Sequence, residues 1–119
     1  MRTLNAQQLN KKLKQDPSTY LVMTLKPTAF AKGHIPGSIN IYDINTAIRR
    51  LPRQAHIIVY CSDVTCMSSY QAYHQLEQAG YQHIWRFPGG LVEWAEQGLP
   101  LETGEEDPML TEFVKHRNL

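Results

Sequence analysis

The stretch His56-Ile57-Ile58-Val59-Tyr60-Cys61-Ser62-Asp63-Val64-Thr65-Cys66 decides how this chain of 119 residues is read. Three successive β-branched residues, Ile57, Ile58 and Val59, suit a pleated strand buried on both faces. The strand ends at Cys61. Five residues, Ser62 to Cys66, then lead into helical spacing from about Cys66 to Ala79, with Tyr70, Tyr73 and Leu76 as its inner face and Gly80 as its left-handed terminator. In open parallel sheets ligands bind beyond the carboxyl ends of the strands, which is where Cys61 falls. A short loop running into a helix N-terminus can turn successive backbone N–H groups inward, and these groups with the helix dipole favour an anion beside the sulfur. The same field lowers a thiol pKa, and the thiolate is the nucleophile. A cysteine after an apolar strand also has an inert reading as a packed core residue, and spacing alone leaves both readings open.

Towards the N-terminus, Asn5 and Gln8 have the spacing of a capping box, and Leu9 and Leu13 share one face of a helix ending near Gln15. Asp16-Pro17-Ser18 stops it. Tyr20 to Leu25 is a second buried strand, closed by Lys26-Pro27, and Thr28 caps a short helical turn through Phe30. Gly33-His34-Ile35-Pro36-Gly37 is a turn, and Ser38 to Ile41 a short strand. Ile44, Ala47, Ile48 and Leu51 form the apolar face of a helix that Pro52 ends. Towards the C-terminus, His83 to Phe87 is a strand closed by Pro88-Gly89-Gly90, and Leu91, Val92 and Ala95 mark a helix ended by Gly98 and Pro100. An acidic linker, 102–107, leads to a docking helix over 108–117, capped by Asp107 and held by Met109, Leu110, Phe113 and Val114. This alternation predicts an α/β fold: a central, mainly parallel sheet of about five strands with helices on both faces. Residues 1–119 are expected to form a single domain with its core over about 4–102.

Twelve Lys plus Arg against eleven Asp plus Glu leave a formal charge of +1, which gives no electrostatic footprint for nucleic acid or an anionic membrane. No apolar stretch approaches the roughly 20 residues that span a bilayer. Two cysteines are too few for a disulfide framework, and the opening residues lack the apolar run of a signal peptide. The expected compartment is the reducing cytoplasm.

Three landmarks, in this order, resemble the rhodanese family of sulfurtransferases: Gly33-His34-Ile35-Pro36-Gly37-Ser38-Ile39-Asn40; Ile57-Ile58-Val59-Tyr60-Cys61 with its loop and helix; and Phe87-Pro88-Gly89-Gly90-Leu91-Val92-Glu93-Trp94 ending in Gly98-Leu99-Pro100. The resemblance covers roughly Leu4 to Glu102. It implies a rhodanese-like fold and a loop cysteine, here Cys61, that cycles between thiolate and persulfide. A sulfane-sulfur donor such as thiosulfate charges it, and a thiol, cyanide or a protein sulfur acceptor discharges it. The residues Ser62, Asp63, Val64, Thr65, Cys66 and Met67 would form the anion cradle, and Arg86, Gly89 and Gly90 would stand at its mouth. Neither a metal nor an organic cofactor is implied, and the five histidines lack ligand spacing.

The chain departs from the family pattern in two places. Arginines one and five positions after the cysteine are replaced by Ser62 and Cys66, and Asp63 adds a negative charge, so the loop is less electropositive than usual. Met23, Leu25 and Ala29 occupy the places of an Asp-x-Arg pair and a following acidic residue, which predicts a repacked apolar interior and leaves His34 as a structural turn residue. Cys66 has two readings, a resolving thiol for Cys61 or a residue that merely caps or packs. Lys11, Lys12, Lys14, Arg49, Arg50 and Arg53 read as solvated faces. Two rivals accompany the sulfurtransferase reading: a catalytically weak binding or regulatory module of the same fold, and a Cys61/Cys66 dithiol reductase. Phosphoryl transfer is disfavoured, because no arginine occurs between Arg53 and Arg86 to hold phosphate.

Overall fold

The computed structural model describes residues 1–104, so the helix expected over 108–117 and the linker residues 105–107 lie outside the described residues. The chain runs α1 (Ala6–Gln15), β1 (Tyr20–Met23), α2 (Pro27–Lys32), β2 (Ile39–Asn40), α3 (Ile44–Arg50), β3 (Ile57–Tyr60), α4 (Ser68–Gln78), β4 (Ile84–Phe87) and α5 (Gly90–Glu96). The four strands pair in parallel in the order β2-β1-β3-β4, with Val22 opposite both Ile39 and Val59, and Val59 opposite Arg86. One further parallel rung, Thr3 against Arg86, extends the sheet past β4. There Arg86 N donates to Arg2 O at 2.9 Å and Leu4 N donates to Arg86 O at 3.0 Å.

Strand periodicity of two sorts the core into two layers. Tyr20, Val22, Ile57, Val59 and Ile84 face α3 and α4, meeting Ala47, Leu51, Ala72, Tyr73 and Leu76. Leu21, Met23, Ile58, Tyr60 and Phe87 face the other way, onto Ala6 and Leu9 of α1, Phe30 of α2, Ile35 and Trp94 of α5. Ile57, Ile58 and Val59 are fully buried, each contributing roughly 1.5–3 kcal/mol of apolar transfer. The capping box of α1 forms as its spacing requires: Gln8 N donates to the Asn5 side chain and Asn5 N to the Gln8 side chain.

Several local expectations are corrected. The second helix begins at Pro27 with Lys26 as an N-cap that makes no side-chain bond, so Thr28 is not the cap; proline's fixed φ suits the first helical position. The fourth helix begins at Ser68, and its buried side is Ser69, Ala72, Tyr73 and Leu76. Those residues stand at i, i+3, i+4 and i+7, which leaves Tyr70 off the stripe and 40% exposed. Val92 likewise points outward, because Gly90 and Trp94 fix the inner side of α5. Lys12 and Arg53 are not simply solvated. The Lys12 ammonium lies 4.0 Å from the centre of the Trp85 ring. Arg53 ties two helix ends together, Nε donating to Ala79 O at 2.8 Å and Nη1 to Ile48 O at 3.0 Å.

Two backbone locks position the end of β3. On one side, the Gly33 to Ser38 turn is held by the buried Tyr60 phenol, whose oxygen accepts from Ile35 N at 3.0 Å. Ser38 Oγ donates to Ile35 O at 2.6 Å, so in the 2.9 Å hydroxyl pair Tyr60 must donate to Ser38. On the other side, α5 drives its first amides into the loop: Leu91 N donates to Cys61 O at 3.1 Å and Val92 N to Ser62 O at 3.0 Å. Gly90 makes this approach possible. Its φ is +59°, and a Cβ there would lie 2.8 Å from the Ser62 carbonyl carbon and oxygen.

Both locks are testable. Burial pushes the Tyr60 phenol up to about 12. A raised folded-state value favours the neutral form, so its stabilisation is intact below the ordinary value near 10 and is lost as pH rises from there towards 12. Urea unfolding between pH 9 and 12 should show a loss of roughly 2–3 kcal/mol in the native protein that Tyr60→Phe lacks, while Tyr60→Phe is about 1–2 kcal/mol less stable at neutral pH. Gly90→Ala should destabilise by about 2–4 kcal/mol, read as a drop in thermal midpoint, whereas Gly98→Ala, where no atom crowds the added Cβ, should lose less.

Candidate active site

The chain leaves β1 for β2 on one side and then returns to lay β3 against the other side of β1. The carboxyl ends of β1 and β3 therefore flank a topological switch point, the place where open α/β sheets bind ligands. Thr24 and Cys61, each the residue after its strand, stand there together, and Thr24 N donates to Tyr60 O at 3.0 Å. A depression of about 290 Å³ opens at Thr24, lined in part by Tyr42, Ser68 and Gln71 and not by Cys61 itself.

Cys61 and Cys66 are joined as a disulfide, with their Cα atoms 6.4 Å apart. Of the readings the sequence left open for Cys66, the structure brings its sulfur onto that of Cys61. Cys61 is 1% exposed, so in this paired state its sulfur is not the solvent-reachable thiolate that the spacing suggested. Cys66 is half-buried and is the partner nearer to solvent. Each sulfur also meets a hydroxyl from the first turn of α4: Cys61 Sγ lies 3.4 Å from Ser69 Oγ, and Cys66 Sγ 3.3 Å from Ser68 Oγ. Ser68 in turn is 2.7 Å from the buried Thr24 hydroxyl.

Between the two cysteines the loop is shaped by Asp63. Its carboxylate accepts from Thr65 N at 2.9 Å and from Thr65 Oγ1 at 2.6 Å, and its carbonyl accepts from Cys66 N at 3.1 Å. The Thr65 hydroxyl and amide hold the Asp63 carboxyl below the usual range. Two of the six expected cradle amides, those of Thr65 and Cys66, are thus engaged within the loop. The other four, those of Ser62, Asp63, Val64 and Met67, and the amides of Ser68 and Ser69 donate to no protein acceptor among the described residues. Val64 and Met67 project outward, 71% and 51% exposed.

Arg86 was expected at the loop mouth and instead lies beneath the loop, 9% exposed. Its Nε donates to Ser69 Oγ at 2.9 Å and its Nη2 to Cys66 O at 3.2 Å. The Tyr70 ring centre is 5.7 Å from the guanidinium. No carboxylate among the described residues pairs with it. Burial pulls its pKa below the ordinary value, although a guanidinium remains charged near neutrality. Gly90 supports the loop backbone as described above, and a Cβ on Gly89 would run into the Glu93 side chain.

His34 is a turn residue, 2% exposed, as expected. Its Nδ1 lies 2.8 Å from Phe30 O and must donate, since a carbonyl can only accept, and its ring stacks on Phe30 at 3.7 Å. Met23 and Ala29 bring it no carboxylate, but Glu102 reaches it, 3.7 Å from Nε2, with backbone bonds in both directions between the two residues. Met23 and Leu25 pack in the apolar layer around Phe30 and Ile35, the repacked interior that their sequence implies. Ser68, Ser69 and Thr24 escaped sequence reasoning; the one available signal was a pair of adjacent serines opening the helix that follows the cysteine loop.

Comparison with known proteins agrees with this geometry. A family model, the Rhodanese-like domain, matches residues 5–97. Over 104 residues the chain is 28% identical to a sulfurtransferase of Allochromatium vinosum, an alignment covering 86% of this chain and 95% of that protein. Its structure is similar to that of a Bacillus halodurans protein, with a TM-score of 0.77 at 22% identity over 86% of this chain and 77% of the other. A rhodanese-related protein from Thermoplasma volcanium matches with a TM-score of 0.70 at 28% identity, over 86% of this chain and 98% of its own. The matched family model spans most of the chain, from before α1 to the end of α5, and the chain belongs to the rhodanese-like domain family.

Proposed function

We propose that this protein is a sulfurtransferase in which Cys61 carries a persulfide. The observation that carries the reading is the position of Cys61: it follows the central strand at the switch point, its sulfur meets the Ser69 hydroxyl, and unpartnered amides begin at Ser62. The Cys61 thiolate attacks the outer sulfur of a sulfane donor. A new S–S bond forms, and the donor's S–S bond breaks with its electron pair leaving on the departing group, which is sulfite when the donor is thiosulfate. A thiol or cyanide then attacks the terminal sulfur and returns the Cys61 thiolate. The segment Ser62 to Met67 stabilises the anions through its backbone.

The disulfide favours a second exit for the persulfide. The Cys66 thiolate attacks the inner sulfur of the Cys61 persulfide and displaces hydrosulfide, leaving the Cys61–Cys66 bond. An external dithiol reductant resets the pair. Cys66 thereby acts as a resolving thiol, a step in which the persulfide supplies the oxidising equivalent.

Intact-mass measurement after incubation of the reduced protein with a sulfane donor should show a gain of one sulfur atom that Cys61→Ser abolishes. Cys66→Ser should retain and prolong that adduct; an adduct surviving in Cys61→Ser would overturn the carrier assignment. With thiosulfate and cyanide as substrates, thiocyanate formation should run at least about tenfold slower than on a loop bearing two arginines, because charge-assisted bonds to the donor are missing. Equal turnover would show that loop charge does not govern donor choice.

A further inference from the structure

A guanidinium enclosed within a fold calls for an anion, since a desolvated charge without a partner is strongly unfavourable. Arg86 has no carboxylate partner among the described residues, and its bonds go to a hydroxyl and a carbonyl. Both acceptors belong to the cysteine loop and its helix. Ser69 Oγ accepts from Arg86 Nε, which leaves the serine's own proton for Cys61 Sγ at 3.4 Å. Cys66 O accepts from Arg86 Nη2 and lies 3.6 Å from the same sulfur.

We propose that Arg86, acting through Ser69, supplies the fixed positive charge that holds Cys61 as an anion, in the place of the arginines its loop lacks. Arg86 is a positioning residue, because it touches Ser69 and the Cys66 carbonyl and does not touch the reacting sulfur itself. The inference deepens the persulfide reading and rests on it. Reduction of the Cys61–Cys66 bond delivers a thiolate one hydroxyl away from the guanidinium, and persulfide formation keeps one negative charge in the same place. The charge sits below the sulfur, where it favours thiolate and persulfide while leaving the outer loop without cationic donors for the substrate. Other ionisable groups on neighbouring elements are arranged differently. Asp63 is engaged with Thr65, Glu93 accepts from Ala6 N, Arg2 donates from its side chain to Gln82 O, and the Tyr70 ring faces the guanidinium.

The test is the pH profile of alkylation of the reduced protein by iodoacetamide in a Cys66→Ser background, where Cys61 is the sole thiol. The parent should alkylate with a midpoint well below that of an ordinary cysteine. Arg86→Met should raise the midpoint by at least one pH unit, lowering the rate near pH 6 about tenfold. Arg86→Lys should keep part of the shift. Ser69→Ala, which retains the guanidinium and removes only the link, should raise the midpoint by an intermediate amount and serves if Arg86→Met fails to fold. An unchanged midpoint in Ser69→Ala, or the same midpoint in Arg86→Lys and Arg86→Met, overturns the proposal. Failure of the underlying reading looks different: the parent itself would titrate as an ordinary cysteine and take up no sulfur from a donor.

Discussion

The site depends on one close approach of backbone to backbone. The chain passes over the end of β3 at Gly90, near enough that the first amides of α5 donate to the carbonyls of Cys61 and Ser62. These bonds bind the two carbonyls at the start of the loop, fixing where it leaves the strand. The hydroxyl of Tyr60, one residue earlier, pins the opposite turn in the same way. Between them the locks fix where the loop leaves the strand, and the side chains of Asp63, Thr65 and Cys66 then set its course.

The architecture was legible because its physical signals are local. Three consecutive β-branched residues, a capping box at Asn5 and Gln8, and the i, i+3, i+4, i+7 spacing of α3 each specify an element without reference to the rest of the chain. Faces were harder to read. Tyr70 and Val92 are apolar enough to belong inside, yet the orientation of their helices is set by residues whose burial comes from tertiary partners: Ser69 under Arg86, and Trp94 against Phe87. Cys61 could be identified from its place at the end of a buried strand. Its pairing with Cys66 could not, because five residues can curl in many ways and the turn built by Asp63 and Thr65 selects one of them.

The treatment of charge separates this chain from the pattern it resembles. Where an ionic network would lie near His34, the interior is apolar, and among the described residues the carboxylate that arrives, Glu102, comes from beyond the last described helix. The cation by the cysteine loop likewise comes from a distant segment, since Arg86 stands on β4 and bonds to the Cys66 carbonyl. Neither arrangement could be inferred from neighbouring residues. Ser69 at the head of α4 matters for the same reason: its hydroxyl can accept from a cation and donate to a sulfur at once, which lets a charge act where it makes no direct contact.

The sheet's outer margins carry a consequence of their own. One margin is β2, only two residues long, and the other is continued by the single rung of Thr3 on Arg86. A strand of two residues and an edge already covered give an incoming polypeptide almost no ladder of free peptide groups to extend. The fold is thereby guarded against fibrous self-association through strand addition, and copies of it can crowd together without templating one another.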